Sequence, residues 1–184
     1  MQFLFMALFA GLAVLLDQLS KLWTVHNIAL ASHNLEHWPA LQTAFGLSDA
    51  ALTELPDQIK AIPGIFHFTH TLNEGAAFSA FEGAQWLFVI VFLVLTVFII
   101  WEFPKKRWPF TTFERWCIVA IYAGGIGNMI DRLRFGFVID MVEVEFMNFA
   151  VFNVADSFIT CGAILLLCHL VLFNKEFWKD ETKK

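Results

Sequence analysis

The sequence predicts an all-α integral membrane protein of four transmembrane helices carrying a small extracytoplasmic loop and β subdomain. Three observations predict it. Of the 184 residues, 58% are hydrophobic and only 16% charged, whereas a soluble domain carries about 25% charged residues. Four stretches approach the roughly 20 mostly apolar residues that a helix needs to cross a bilayer. Only one connection between those stretches, residues 26–84, is long, and it is polar.

The first span, 3–25, is uncharged through Leu16 and then continues past Asp17 and Lys21. A secretory signal would open with a basic segment and end sooner, so an uncleaved helix is expected. The connection that follows holds one basic residue, Lys60, against Glu36, Asp49, Glu54, Asp57, Glu74 and Glu82, a balance suited to the outer side of a membrane. The second span, 85–103, is the most apolar, with no charge from Gly83 to Trp101, and is expected to face lipid. The third and fourth spans cover 113–133 and 151–173. Lys105, Lys106, Arg107 and Arg115 lie between spans two and three, and Lys175, Lys179, Lys183 and Lys184 follow span four. If both segments are cytoplasmic they hold eight of the twelve basic residues, which places both termini inside. No internal repeat is visible, and residues 1–184 read as one membrane-embedded domain.

Composition also excludes. The net charge of −5 leaves no basic face for phosphates, so nucleic acid is set aside as a partner. Cys117, Cys161 and Cys168 lie in apolar runs without CxxC spacing, which indicates neither a disulfide framework nor a thiolate metal site. His33 and His37 are spaced i,i+4, and His67 and His70 i,i+3, with Glu36 nearby. There is no HExxH, and these residues lie in an outer loop or adjoining strand, so ordinary polar residues of that segment are the simpler reading. His169, alone in span four, reads as a packed histidine bonded within the bundle. No metal and no cofactor are expected.

Ionisable side chains inside spans are costly and mark sites by default. With both termini inside, Asp17 and Lys21 lie toward the outer end of span one, Asn128, Asp131 and Arg132 toward the outer end of span three, and Asn153 and Asp156 in the first turns of span four. Three helices thus bring polar groups to one depth, and Asp140, between spans three and four, is held there too. Asp17 and Lys21 at i,i+4 can pair on one helix face, as can Asn128, Asp131 and Arg132 at i, i+3 and i+4; buried pairs that join helices would explain them. Asp140 and Asp156 have no local basic partner unless Arg132 or Lys21 reaches one of them. Two carboxylates brought together at a low-dielectric boundary do not both ionise cheaply, so one keeps a proton, the state an acid/base pair needs. The glycines of Ala123-Gly124-Gly125-Ile126-Gly127-Asn128 permit close helix approach, and those of Asn73-Glu74-Gly75-Ala76-Ala77-Phe78-Ser79 leave room for an extended backbone.

Five stretches, Leu16-Asp17-Gln18-Leu19-Ser20-Lys21, Asn73 to Ser79, Gly124 to Arg132, Gly136-Phe137-Val138-Ile139-Asp140 and Phe152-Asn153-Val154-Ala155-Asp156-Ser157, resemble in order the sequence blocks of the lipoprotein signal peptidase (signal peptidase II) family. The resemblance implies an aspartyl endopeptidase of the bacterial plasma membrane. Its substrates would be prolipoproteins whose cysteine already carries a diacylglyceryl group. It assigns the catalytic pair to Asp140 and Asp156, and a lining or bracing role to Asp17, Lys21, Asn73, Gly75, Asn128, Arg132 and Asn153, with Asp131 grouped beside Arg132. It implies four spans, cytoplasmic termini and an active site toward the outer side. Lipid-modified prolipoproteins and membrane lipids would be the partners of a monomer. Ala123 and Met141 depart mildly from the family pattern, and residues 26–66 form a longer outer stretch than that pattern has.

Two other classes fit parts of the sequence. A Ser/Lys protease would pair Lys21 with Ser20, Ser79 or Ser157, although Ser20, adjacent to Lys21, points elsewhere on the helix. A proton-coupled transporter would also use intramembrane Asp, Lys and Arg, but it predicts paired repeats and polar groups through the full membrane thickness, whereas here they gather on one side.

Overall fold

The computed structural model describes residues 1–75, 85–102 and 109–174. The basic residues Lys105, Lys106, Arg107, Lys175, Lys179, Lys183 and Lys184, on which the orientation of the chain was read, lie outside the described residues, as do Glu82 and the stretch from Ala76 to Ser79.

Long helices dominate: α1 (Gln2–Asn27), α4 (Gln85–Glu102), α5 (Thr112–Phe135) and α6 (Val154–Leu172). Two of them, α1 and α6, are long and apolar enough to cross a bilayer, and only 17% and 11% of their apolar windows are buried. A core helix of a soluble protein would show the reverse. Leu8, Leu12, Leu15 and Leu19 of α1 and Ile164, Leu167 and Val171 of α6 are each at least half exposed, an apolar surface that calls for a hydrophobic surrounding. In α4 the stretch Trp86–Trp101 is apolar apart from Thr96 and carries no charge, with Ile90, Val94 and Val97 turned outward. Helix α5 carries charge at both ends and packs between the others.

Local chemistry sets the helix limits. Thr111 and Glu114 close a capping box at the start of α5, and Gly136, in the left-handed region at φ 85°, ends it; a side chain there would be strained. Asn153 and Asp156 form the same box at the start of α6. The fourth helix therefore begins at Val154 rather than 151, because Phe152 is still extended and bridges Val142.

Small residues bring α5 close to its neighbours. A Cβ on Gly124 would collide with the carbonyl oxygen of Ala155 in α6, and one on Gly125 would meet the Phe92 ring of α4 at 2.9 Å. Phe92 in turn stacks on Tyr122 at 5.3 Å, whose hydroxyl donates to Thr96 Oγ1 at 3.0 Å. Phe9 of α1 lies edge-on to both Trp116 and Phe158, joining three helices.

The remaining chain builds a small sheet at one end of the bundle. Strands β1 (Gln58–Ile62), β2 (Phe66–Asn73) and β3 (Val138–Val144) run antiparallel in the order β1-β2-β3. The β structure is thus not confined to residues 26–84, since its third strand comes from between α5 and α6. There Val138, Asp140 and Val142 alternate with Ile139, Met141 and Glu143, a two-residue period. Residues preceding β1 form a 3-10 turn (Ser32–His37), α2 (Trp38–Phe45) and α3 (Ala51–Glu54). Val25, Leu30, Trp38, Leu41, Leu72, Phe137 and Ile139 make a common apolar core under this cap. His70, on strand β2, belongs to its interior and is not an ordinary polar residue of the outer segment: it is fully buried, with Nδ1 donating to Ile28 O at 3.1 Å. Burial holds it neutral, with a pKa lowered to about 4.

Candidate active site

Asp140 sits in the middle of β3, opposite Thr71 of β2, and is 1% exposed. Buried carboxylates need donors, and three asparagines from three elements supply them here. Asn73, at the end of β2, donates to Asp140 Oδ2 at 3.0 Å. Asn153, the N-cap of α6, donates to Asp140 Oδ1 at 2.7 Å. Asn128 of α5 donates to Asp156 Oδ1 at 2.7 Å. The backbone N–H of Asn153 donates to Asp156 Oδ2 at 3.2 Å, and Asn153 Oδ1 accepts from the Asp156 N–H at 2.9 Å. One residue therefore holds both acids. Both carboxylates line a cavity of about 370 Å³, together with Asn73, Gly75, Asn128, Arg132 and the apolar side chains of Val138, Phe149 and Phe152.

Electrostatics separate Asp140 from an ordinary surface acid. Burial first, and then the neighbouring Asp156 charge, push Asp140 up from 3.8 to about 7, against the opposing effects of the Asn73 bond, the Lys21 charge and the Asn153 bond. At neutral pH its carboxyl is thus poised between its two protonation states. Arg132 reaches the cavity without forming an ion pair with either acid. Its guanidinium donates to Gly75 O at 2.8 Å and lies 4.6 Å from the Phe88 ring centre, while its buried Nε has no partner among the described residues.

The remaining residues picked out in the sequence form a second network that does not line the cavity. Lys21 Nζ lies 2.9 Å from Asp17 Oδ2 and 2.8 Å from Asp131 Oδ2, all three side chains being at most 3% exposed. Asp17 Oδ1 accepts from the Ala155 N–H in the first turn of α6 at 2.9 Å, and Asp131 Oδ2 accepts from the Ile139 N–H beside Asp140 at 3.2 Å. A Cβ on Gly127 would stand 2.5 Å from Asp17 Oδ2, so only glycine leaves room for that carboxylate. Lys21 also donates to Asn128 Oδ1 at 3.1 Å, the one side-chain to side-chain bond among the described residues that ties the two networks directly. Triply satisfied by oxygens, Lys21 bonds to no serine: Ser20 Oγ donates to Asp17 O and Ser157 Oγ to Asn153 O, while Ser79 lies outside the described residues.

Gln18 and Glu114 also hold the bundle together, though neither stands out in the sequence. Gln18 bridges Asp17, Gly127 O and Asp131; as an uncharged neighbour of Asp17 it carried no signal of its own. Glu114 is fully buried at the opposite end of α5, held by Thr111, His169 and Asn174. The Thr-x-x-Glu spacing of a capping box could have found it.

Residues 9–172 match the family described as Signal peptidase (SPase) II. The chain is 37% identical over 171 residues to the lipoprotein signal peptidases of Streptococcus pyogenes serotypes M2 and M1, covering 92% of this chain and 90% of each of those proteins. Two solved structures, both described as bacterial membrane enzymes, superpose with TM-scores of 0.69 and 0.66 at 25% identity, covering 96% and 92% of this chain and 92% and 94% of theirs. On the family match and on the breadth of these similarities, the chain belongs to the signal peptidase II family, the proteases that cleave signal peptides from bacterial prolipoproteins.

Proposed function

We propose that this protein is a membrane aspartyl endopeptidase that removes the signal peptide from diacylglyceryl-modified prolipoproteins, with Asp140 and Asp156 as its catalytic pair. The observation that carries this reading is the joint anchoring of both carboxylates by Asn153 at one cavity. In the proposed reaction the ionised acid takes a proton from a water molecule. The resulting hydroxide attacks the carbonyl carbon of the residue preceding the lipidated cysteine. The protonated acid hydrogen-bonds the carbonyl oxygen as charge develops there, and the cysteine amine leaves with a proton from the pair. No covalent enzyme intermediate forms, and the proton belongs to the pair rather than to either acid.

The supporting residues take roles that follow from their contacts. Asn73, Asn128 and Asn153 orient the carboxylates without adding charge. Arg132 fixes the strand end at Gly75 and brings positive charge near the pair. Lys21, Asp17 and Asp131 form the sealed base on which α1, α5 and the start of α6 are registered. In the membrane the reading places four spans in a single domain of residues 1–184, acting as a monomer, with cytoplasmic termini and the cavity toward the extracytoplasmic side. There the acyl chains of the substrate stay in the bilayer while its peptide enters between helices.

The test is cleavage of a synthetic diacylglyceryl-modified precursor beside its unlipidated twin by the purified protein. Selective cleavage of the lipidated peptide is the expected outcome; equal cleavage of both would remove the substrate assignment while leaving a protease.

A further inference from the structure

Strand β2 is longer than the partner on its outer edge. Pairing of β1 with β2 ends at Gln58↔Thr69, whereas β3 continues alongside β2 to Val138↔Asn73. The backbone groups of residues 70–72 on the β1 side would be left bare, and Leu72 is 7% exposed, too buried for water to satisfy them. The 3-10 segment closes this edge. Ala31 N–H donates to His70 O at 2.9 Å. Asn34 then takes the place of a strand: its Oδ1 accepts from the Leu72 N–H at 2.9 Å and its Nδ2 donates to Leu72 O at 3.4 Å. An asparagine amide offers the same acceptor and donor as a peptide group, which an aliphatic side chain cannot do. Thr71 Oγ1 also donates to Asn34 Oδ1, at 2.9 Å.

The next residue is Asn73, whose Nδ2 reaches Asp140 while its Oδ1 accepts from the Gly75 N–H at 2.9 Å. On its far side His37 Nε2 lies 2.7 Å from Glu74 Oε1. The strand end is therefore gripped on both sides of Asn73 by one six-residue segment that lies outside the cavity.

We propose that Asn34 is a positioning residue for the active site: by completing the sheet edge at Leu72, it fixes the strand end from which Asn73 donates to Asp140. The proposal rests on the reading of Asp140 and Asp156 as the catalytic pair. A merely structural role for Asn34 would lower the amount of folded enzyme. A positioning role also changes the titration of the folded enzyme, because the Asn73 bond favours the ionised form of Asp140.

The test compares pH profiles of kcat/KM, per folded enzyme in detergent, for Asn34→Ala, Asn73→Ala, the double variant and Gln42→Ala. Gln42 lies in the same cap, and its side chain donates to Asp49, away from the strand edge. Asn73→Ala is expected to move the limb governed by Asp140 to higher pH. Asn34→Ala should move it the same way and lower kcat/KM about tenfold, the equivalent of roughly 1.4 kcal/mol. The double variant should move it no further than Asn73→Ala alone, and Gln42→Ala should match the wild type. Should Asn34→Ala fail to fold, Thr71→Val, which removes one bond to the same amide, is expected to give a smaller shift in the same direction, and its absence would overturn the proposal. A shift in Asn73→Ala with none in Asn34→Ala, or shifts that add in the double variant, would also overturn it. An unshifted profile in Asn73→Ala itself would instead strike at the catalytic pair.

Discussion

Asn153 donates from its side-chain amide to Asp140 at 2.7 Å although Asp140 lies on a strand and Asn153 caps a helix. The same residue closes the capping box with Asp156, so the start of α6 sets the position of one acid against the other. Helix registration thereby becomes active-site geometry, and what registers α6 is the ion network around Lys21.

That network carries the first prediction. Lys21 offsets two carboxylates, Asp17 and Asp131, in a site that water does not reach. Lys21→Met leaves both without their cation, and the loss expected from breaking such a buried arrangement is about 3–5 kcal/mol. Thermal unfolding of the purified protein in detergent checks it; a melting temperature like that of the wild type would contradict it.

Glycine substitutions separate close packing from open space. Gly124→Ala forces a methyl against the Ala155 carbonyl, a backbone atom that cannot swing aside, and overpacking of this kind costs roughly 1–3 kcal/mol. Gly11→Ala, mid-helix with nothing within 4 Å of its Cβ, is expected to be neutral or stabilising by up to about 1 kcal/mol. The pair of melting temperatures decides the matter, and equal effects would argue against tight α5/α6 contact.

Stability should depend on pH through Asp140. Its carboxyl is raised in the folded protein from 3.8 to about 7, so between those values the folded state binds more proton than the unfolded chain. The contribution is fully present below 3.8 and is lost as pH rises through about 7. The melting temperature is expected to decline across that window. Asp140→Asn should flatten the decline, and Asp156→Asn, by removing the second cause of the shift, should move it to lower pH. A decline identical in Asp140→Asn and wild type would refute this.

The sequence made the chemistry more legible than the architecture. Asp17, Lys21, Asp131, Asp140 and Asp156 stood out because charge among apolar residues is rare, and Asn128 and Asn153 because of their spacing to those acids. Strand β3 was harder to see: it is seven residues long and lies between two helices, so its alternation had little length in which to show. The role of Asn34 could not be read at all, since an asparagine in a polar loop is unremarkable until the strand edge it completes is known. Likewise Gln18 gains meaning only when Gly127 and Asp131 arrive from more than a hundred residues away.

The most direct measurement is the rate at which purified Asp140→Asn and Asp156→Asn cleave a diacylglyceryl-modified precursor, with folding verified by thermal unfolding. Each variant is expected to remain folded and to lose cleavage by roughly 100- to 10,000-fold, the scale of a missing general acid or base. A wild-type rate in either folded variant would contradict the two-carboxylate account.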